Sequence, residues 1–139
     1  GLMTGTAVES RALEPEADGG FKPVRLDLTA AMSPVALNLR TEHGKDPSET
    51  GKWNRYRATL SRAGAAVASG EFNINNTATP ENQGAPYVLQ TMLIARIGES
   101  GEYELTIRPV KPVEVALKES RVEVRRNVQE AHAPPPPKP

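Results

Sequence analysis

Two histidines, a balanced set of acids and bases, and a single tryptophan are the side chains of this chain that could do chemistry. His43 is flanked by Glu42, Asp46 and Glu49 within Thr41 to Lys52, TEHGKDPSETGK. An imidazole among carboxylates could hold a metal ion or, with acids from a second loop, assist hydrolysis. The spacing fits no metal motif, including the calcium loop with its alternating acidic ligands, so a solvated loop is expected. His132 falls in a proline-rich tail, away from any second group that could hold it as a catalytic triad requires. Cysteine is absent, which removes thiol nucleophiles, thiolate metal sites and disulfides together. No catalytic residue, metal ligand or cofactor is assigned.

The remaining charged clusters read as surface. Glu102, Glu104, Glu114 and Glu123 occupy outward positions of alternating segments. A charged sheet face accounts for them better than paired carboxylates for hydrolysis. Gly98-Glu99-Ser100-Gly101 joins two strands and opens no helix, so it fails the context of a phosphate-binding loop. Arg121, Arg125 and Arg126 interleave with Glu119 and Glu123, the pattern of a solvated edge strand. Lysine plus arginine equals aspartate plus glutamate, 17 against 17, so no field favours nucleic acid or an anionic membrane. No apolar run reaches the roughly 18 to 20 residues of a membrane span.

The surface candidate is Trp53 with Arg55 and Arg57. Residues two apart on a strand share a face, so an indole and two guanidiniums would line up together. Indole rings stack on sugars or on partner side chains, and guanidinium forks bind carboxylates. The competing reading has Trp53 covering the rim of the core beside the long loop.

The elements that position these residues are strands. Pro23 to Thr29 alternates with Val24, Leu26 and Leu28 inward, and Val35 to Arg40 with Val35, Leu37 and Leu39 inward. Trp53 to Arg62 puts Tyr56, Ala58 and Leu60 inside. In Ala66 to Asn75 the phase slips between Val67 and the pair Phe72 and Ile74, and a bulge near Ser69-Gly70 would reconcile them. Asn76 to Ala85 is a second polar loop. Tyr87 to Pro109 is the most apolar stretch, broken by Gly98 to Gly101, and reads as a hairpin at the centre of the fold. Its first arm, Tyr87 to Ile97, is apolar on both parities, as an interior strand covered on both faces would be. Val113, Val115 and Leu117 alternate, then Val122, Val124 and Val128 in the opposite phase, which predicts a turn or bulge at Lys118 to Ser120.

Seven or eight short strands, spaced about ten to fifteen residues apart, predict an all-β antiparallel sandwich of jelly-roll or immunoglobulin-like type. Residues 1–20 are acidic and aperiodic and read as a flexible lead-in. Residues 21–128 form the sandwich domain. Residues 129–139 hold four consecutive prolines and read as a polyproline II spacer.

Asn54-Arg55-Tyr56-Arg57-Ala58-Thr59-Leu60 is followed by a glycine turn, a polar loop and then Gly101-Glu102-Tyr103-Glu104-Leu105-Thr106-Ile107, a glycine-x-aromatic-x-apolar-x-apolar motif. The two segments resemble the later strands of small secreted sandwiches, the bacterial pre-peptidase C-terminal type domain in particular. The resemblance covers about half the chain. It implies an accessory, non-catalytic module of an exported protein. The calcium-binding acids found in some members have no counterpart here, and the valine-rich strands after Pro112 depart from the pattern. The expected function is therefore non-enzymatic binding of a protein partner or envelope polymer, in the periplasm or outside the cell. A carbohydrate-binding module using Trp53, with Tyr56 or Tyr87, is the first alternative. A hydrolase built from loops 41–52 and 76–86 is the second; it would fail if those loops lay at opposite ends of the sandwich.

Overall fold

The computed structural model describes residues 4–43, 47–76 and 87–129. Eight strands follow one another: β1 (Thr6–Ala12), β2 (Phe21–Leu28), β3 (Val35–His43), β4 (Trp53–Arg62), β5 (Ala65–Asn75), β6 (Val88–Ala95), β7 (Gly101–Pro109) and β8 (Leu117–Arg126). Single 3-10 turns at Ala30–Met32 and Pro47–Glu49 are the only helical pieces among the described residues. The strands form two four-stranded sheets, ordered β1-β8-β3-β6 and β2-β7-β4-β5. Every pairing is antiparallel. The chain is an all-β sandwich whose first strand lies beside its last, an order consistent with a jelly roll.

The core lies between the sheets and follows the alternation. Leu26, Leu28, Leu37, Leu39, Tyr56, Ala58, Leu60, Leu105, Ile107, Val122 and Val124 are buried. Tyr56 stacks on Phe72, ring centroids 5.4 Å apart, and lies 6.5 Å from Phe21. Such aromatic pairs add to the area they bury.

The registers place the connections. Those between β1 and β2, β3 and β4, β5 and β6, and β7 and β8 all gather at one end of the sandwich. The opposite end holds the β2–β3, β4–β5 and β6–β7 connections.

Four expectations are corrected. First, the Tyr87 to Pro109 hairpin does not form. β6 pairs with β3 in one sheet and β7 with β2 and β4 in the other, so Gly98 to Gly101 carries the chain between sheets. A glycine-bounded loop serves either purpose, and alternation reports a face without naming a partner. Second, the lead-in contributes β1, although its pattern of exposure shows no alternation. Backbone pairing with β8 makes it a strand. That covers β8, so Arg121, Arg125 and Arg126 sit on an interior strand and not on an edge.

Third, β6 is an edge strand of its sheet. Its two apolar parities come from a bulge: Leu37 faces Leu93 and Asn38 faces Thr91, which leaves Met92 as the extra residue. Met92 and Leu93 can then both be buried. Fourth, the phase of β5 does slip, but earlier than Ser69-Gly70. Leu60 faces Ala68 and Ser61 faces Ala66, so the bulge lies at Val67, which points outward. Gly70 has another task. A Cβ there would lie 2.3 Å from the Met92 carbonyl oxygen, so glycine lets β5 pass close to β6. The irregularity anticipated at Lys118 to Ser120 is present: Arg40 faces Arg121 while Glu42 faces Lys118, and Glu119 has a φ of 36°.

Candidate binding face at the start of β4

Trp53, Arg55 and Arg57 do share the outward face of β4. Tyr56 and Ala58, on the opposite parity, are fully buried and fix that orientation. Trp53 stands where β4 leaves the loop-bearing end and is 38% exposed. Lys111 covers one face of its ring, with Nζ 3.7 Å from the centroid. The same ammonium donates to the Trp53 carbonyl at 2.9 Å and to Glu114 at 2.7 Å. A cation over an indole is held by the ring quadrupole, and the two hydrogen bonds fix it there. Lys111 holds the Glu114 carboxyl below its ordinary pKa.

The arginines do not project as open forks. Arg55 donates to Asn73 at 2.8 Å and to one oxygen of Glu71 at 2.9 Å. Arg57 donates to the other Glu71 oxygen at 2.8 Å. One carboxylate thus bridges two guanidiniums, and both of them keep its pKa below the ordinary value. The face is an ion-paired lattice, two guanidiniums to one carboxylate, with one half-exposed indole at its end.

Asn54 secures this corner from inside. It is fully buried. Its Nδ2 donates to the Tyr56 hydroxyl at 2.9 Å and to the Val115 carbonyl at 2.8 Å. Its Oδ1 accepts from the backbone of Glu114 at 2.8 Å and of Val115 at 2.9 Å. The connection from β7 to β8 is therefore pinned beside Trp53. The Val110 N–H donates to the Arg55 carbonyl at 2.9 Å, which continues the ladder and leaves the Val110 side chain exposed. Lys111 and Val110 were not singled out from the sequence, and Glu114, expected on a charged sheet face, lies instead in the connection between β7 and β8. The signal for Lys111 and Val110 was a lysine and two valines between and beside Pro109 and Pro112, which read only as a connection.

Other candidates fall elsewhere. Tyr56 cannot join Trp53 at the surface because it is core, where burial pushes its phenol pKa up. Tyr87 belongs to the other sheet's end. Glu49 accepts a hydrogen bond from the Ala116 N–H at 3.3 Å. The side chain of His43, together with Asp46, His132 and residues 77–86, lies outside the described residues. His43, Lys52, Asn76 and Tyr87, the described residues that flank those stretches, lie at the same end of the sandwich. Among the described residues no three histidine or acidic side chains gather as a metal site. Nor is any described helix long and apolar enough to cross a membrane.

Compared with protein families and with curated proteins, the chain matches no family model and no curated sequence. The likeness to pre-peptidase C-terminal type domains therefore rests on the strand motifs alone.

Proposed function

We propose that this chain is a non-enzymatic binding module that docks a protein partner through the outward face of β4 at the loop-bearing end. We also propose that it works outside the cytoplasm, as part of a bacterial envelope or exported protein. The observation that supports docking is the half-exposed Trp53, beside exposed Val110 and rimmed by Lys111, Glu114 and the Glu71-bridged arginines. A large aromatic within a ring of satisfied polar groups is the composition of an interface anchor. Support for the location comes from the motif shared with exported sandwiches.

A photo-crosslinking residue placed at position 53 in the native cells tests the reading. It should capture one defined partner, a residue at exposed position 67 should not, and purified partner should fail to bind Trp53→Ala. Equal capture from both positions would sink it. Fractionation of the same cells tests the location, where recovery in the cytosol would refute it.

A carbohydrate-binding role for Trp53 is the second reading, favoured by its exposure. Lys111 leaves at most one ring face for a sugar. Titration of the single tryptophan's fluorescence with polysaccharides decides it; an unchanged spectrum removes it.

A further inference from the structure

On the outward face of the β1-β8-β3-β6 sheet, Arg40 of β3 lies directly opposite Arg121 of β8. Both side chains are exposed. Like charges directly opposite on neighbouring strands repel, and sheets ordinarily avoid them. Here neither guanidinium is paired with a carboxylate among the described residues. Arg121 leans toward β1, where Nε donates to Ser10 Oγ at 2.7 Å and Nη2 to the Ser10 carbonyl at 3.0 Å. Its Nη1 makes no hydrogen bond. Arg40 leans the other way, its guanidinium 4.0 Å from the centroid of the Tyr87 ring, and its side chain makes no hydrogen bond among the described residues. Tyr87 is 40% exposed, and its hydroxyl has no hydrogen-bond partner among the described residues.

The neighbouring rows do not supply the missing charge. Glu123 is occupied by Arg125 at 3.0 Å and Asn38 at 3.1 Å. Glu42, opposite Lys118, and Glu119 are exposed, and neither forms an ion pair with Arg40 or Arg121 among the described residues. Each guanidinium thus has a partner on its own side, Ser10 for Arg121 and the Tyr87 ring for Arg40, and neither partner carries a negative charge.

We infer that Arg40 and Arg121, with Tyr87, form a binding site for a tetrahedral oxyanion, a phosphate or sulfate group. A carboxylate can bridge two guanidiniums, as Glu71 does, but its two oxygens lie in one plane. A tetrahedral group has oxygens enough for both forks and for the tyrosine hydroxyl. The anion also removes the repulsion that the empty pair carries. This site lies on the other sheet from Trp53, so it stands or falls apart from the docking face.

The test follows the arginine Nε–H signals by NMR at constant ionic strength while inorganic phosphate, then sulfate, is added. Saturable shifts of Arg40 and Arg121, with Arg57 unmoved, are expected. Arg40→Glu separates this site from general screening. It places a carboxylate opposite Arg121, so it should raise the melting temperature while weakening phosphate binding by about tenfold or more. Arg40→Gln, which also relieves the repulsion, should bind as weakly. Dextran sulfate and phosphatidylglycerol vesicles then identify the carrier, the tighter of the two being the natural type. Shifts that never saturate, or phosphate affinity unchanged in both variants, would overturn the inference.

Discussion

The side chain of Asn54 pairs with the backbone of Val115 in both directions, donating to its carbonyl at 2.8 Å and accepting from its N–H at 2.9 Å. A buried amide here does what a neighbouring strand would do, for a segment whose prolines keep it out of the ladder. The apolar residues it holds down include Val115, which is fully buried.

Replacing Asn54 by leucine should therefore be among the costliest single changes. It would strand the Val115 carbonyl and N–H, the Glu114 N–H and the Tyr56 hydroxyl at once. An unsatisfied buried group costs about 1–3 kcal/mol, so a loss of roughly 3 kcal/mol or more is expected in urea unfolding. A loss under about 1 kcal/mol would show that the connection is held by other contacts.

Gly70→Ala should cost about 1–3 kcal/mol, because the new methyl meets the Met92 carbonyl oxygen at 2.3 Å and the seam between β5 and β6 must open. Gly98→Ala is the control. Nothing lies within 4 Å of its Cβ position, so its thermal midpoint should stay level or rise. Equal midpoints for the two variants would mean that the seam is loose.

A chain shortened to begin at residue 13 should be destabilised and should associate. It loses β1, exposes the edge of β8 and removes the Arg11 guanidinium that donates to the Arg25 carbonyl at 2.8 Å. An uncovered interior strand offers unpaired backbone groups to another molecule. Light scattering across a concentration series should show oligomers absent from the full chain. A shortened chain that stays monomeric and equally stable would make β1 an ornament.

Acid should weaken the fold in a defined direction. Asp18 is lowered in pKa by the Gly20 N–H and by Arg108; Glu71 is lowered by Arg55 and Arg57. A folded pKa below the unfolded one means stability that is complete above the ordinary carboxylate range. It is lost as pH falls through about 4 and further below. Melting temperatures should hold from about pH 7 to 5 and then decline. Glu71→Gln should melt lower at pH 6 and show a shallower decline. The same slope in both proteins would remove Glu71 from the account.

Lys111→Ala should bare the indole. It removes the ammonium from the ring and the bond to the Trp53 carbonyl. Trp53 is the single tryptophan, so acrylamide quenching of its fluorescence reports the change directly and should rise. Unchanged quenching would place the lysine elsewhere in solution.

The faces of the strands were legible because alternation is local. Leu26 and Leu28, Leu37 and Leu39, Tyr56, Ala58 and Leu60, and Tyr103, Leu105 and Ile107 are buried as their spacing predicts. Where two parities mix, as in β6, the pattern alone matches an interior strand covered on both faces. The structure resolves the mixture with one extra residue, Met92. β1 had no such signal, since its side chains are exposed and its backbone alone joins the sheet. At the candidate face, the shared orientation of Trp53, Arg55 and Arg57 was readable from a period of two. Their engagement by Lys111, Glu71 and Asn73 was not, because those partners are distant in the chain.

The sequence by itself determined an all-β chain, the inward side of most strands and the placing of charge outside. Tertiary structure alone decided which strand lies beside which. It sent β6 and β7 to different sheets, set Asn54 against Val115, and brought Arg40 face to face with Arg121. The reason is physical: a residue's side of a strand follows from its neighbours in the chain, whereas its cross-strand partner is chosen by backbone groups seeking hydrogen bonds far away in sequence.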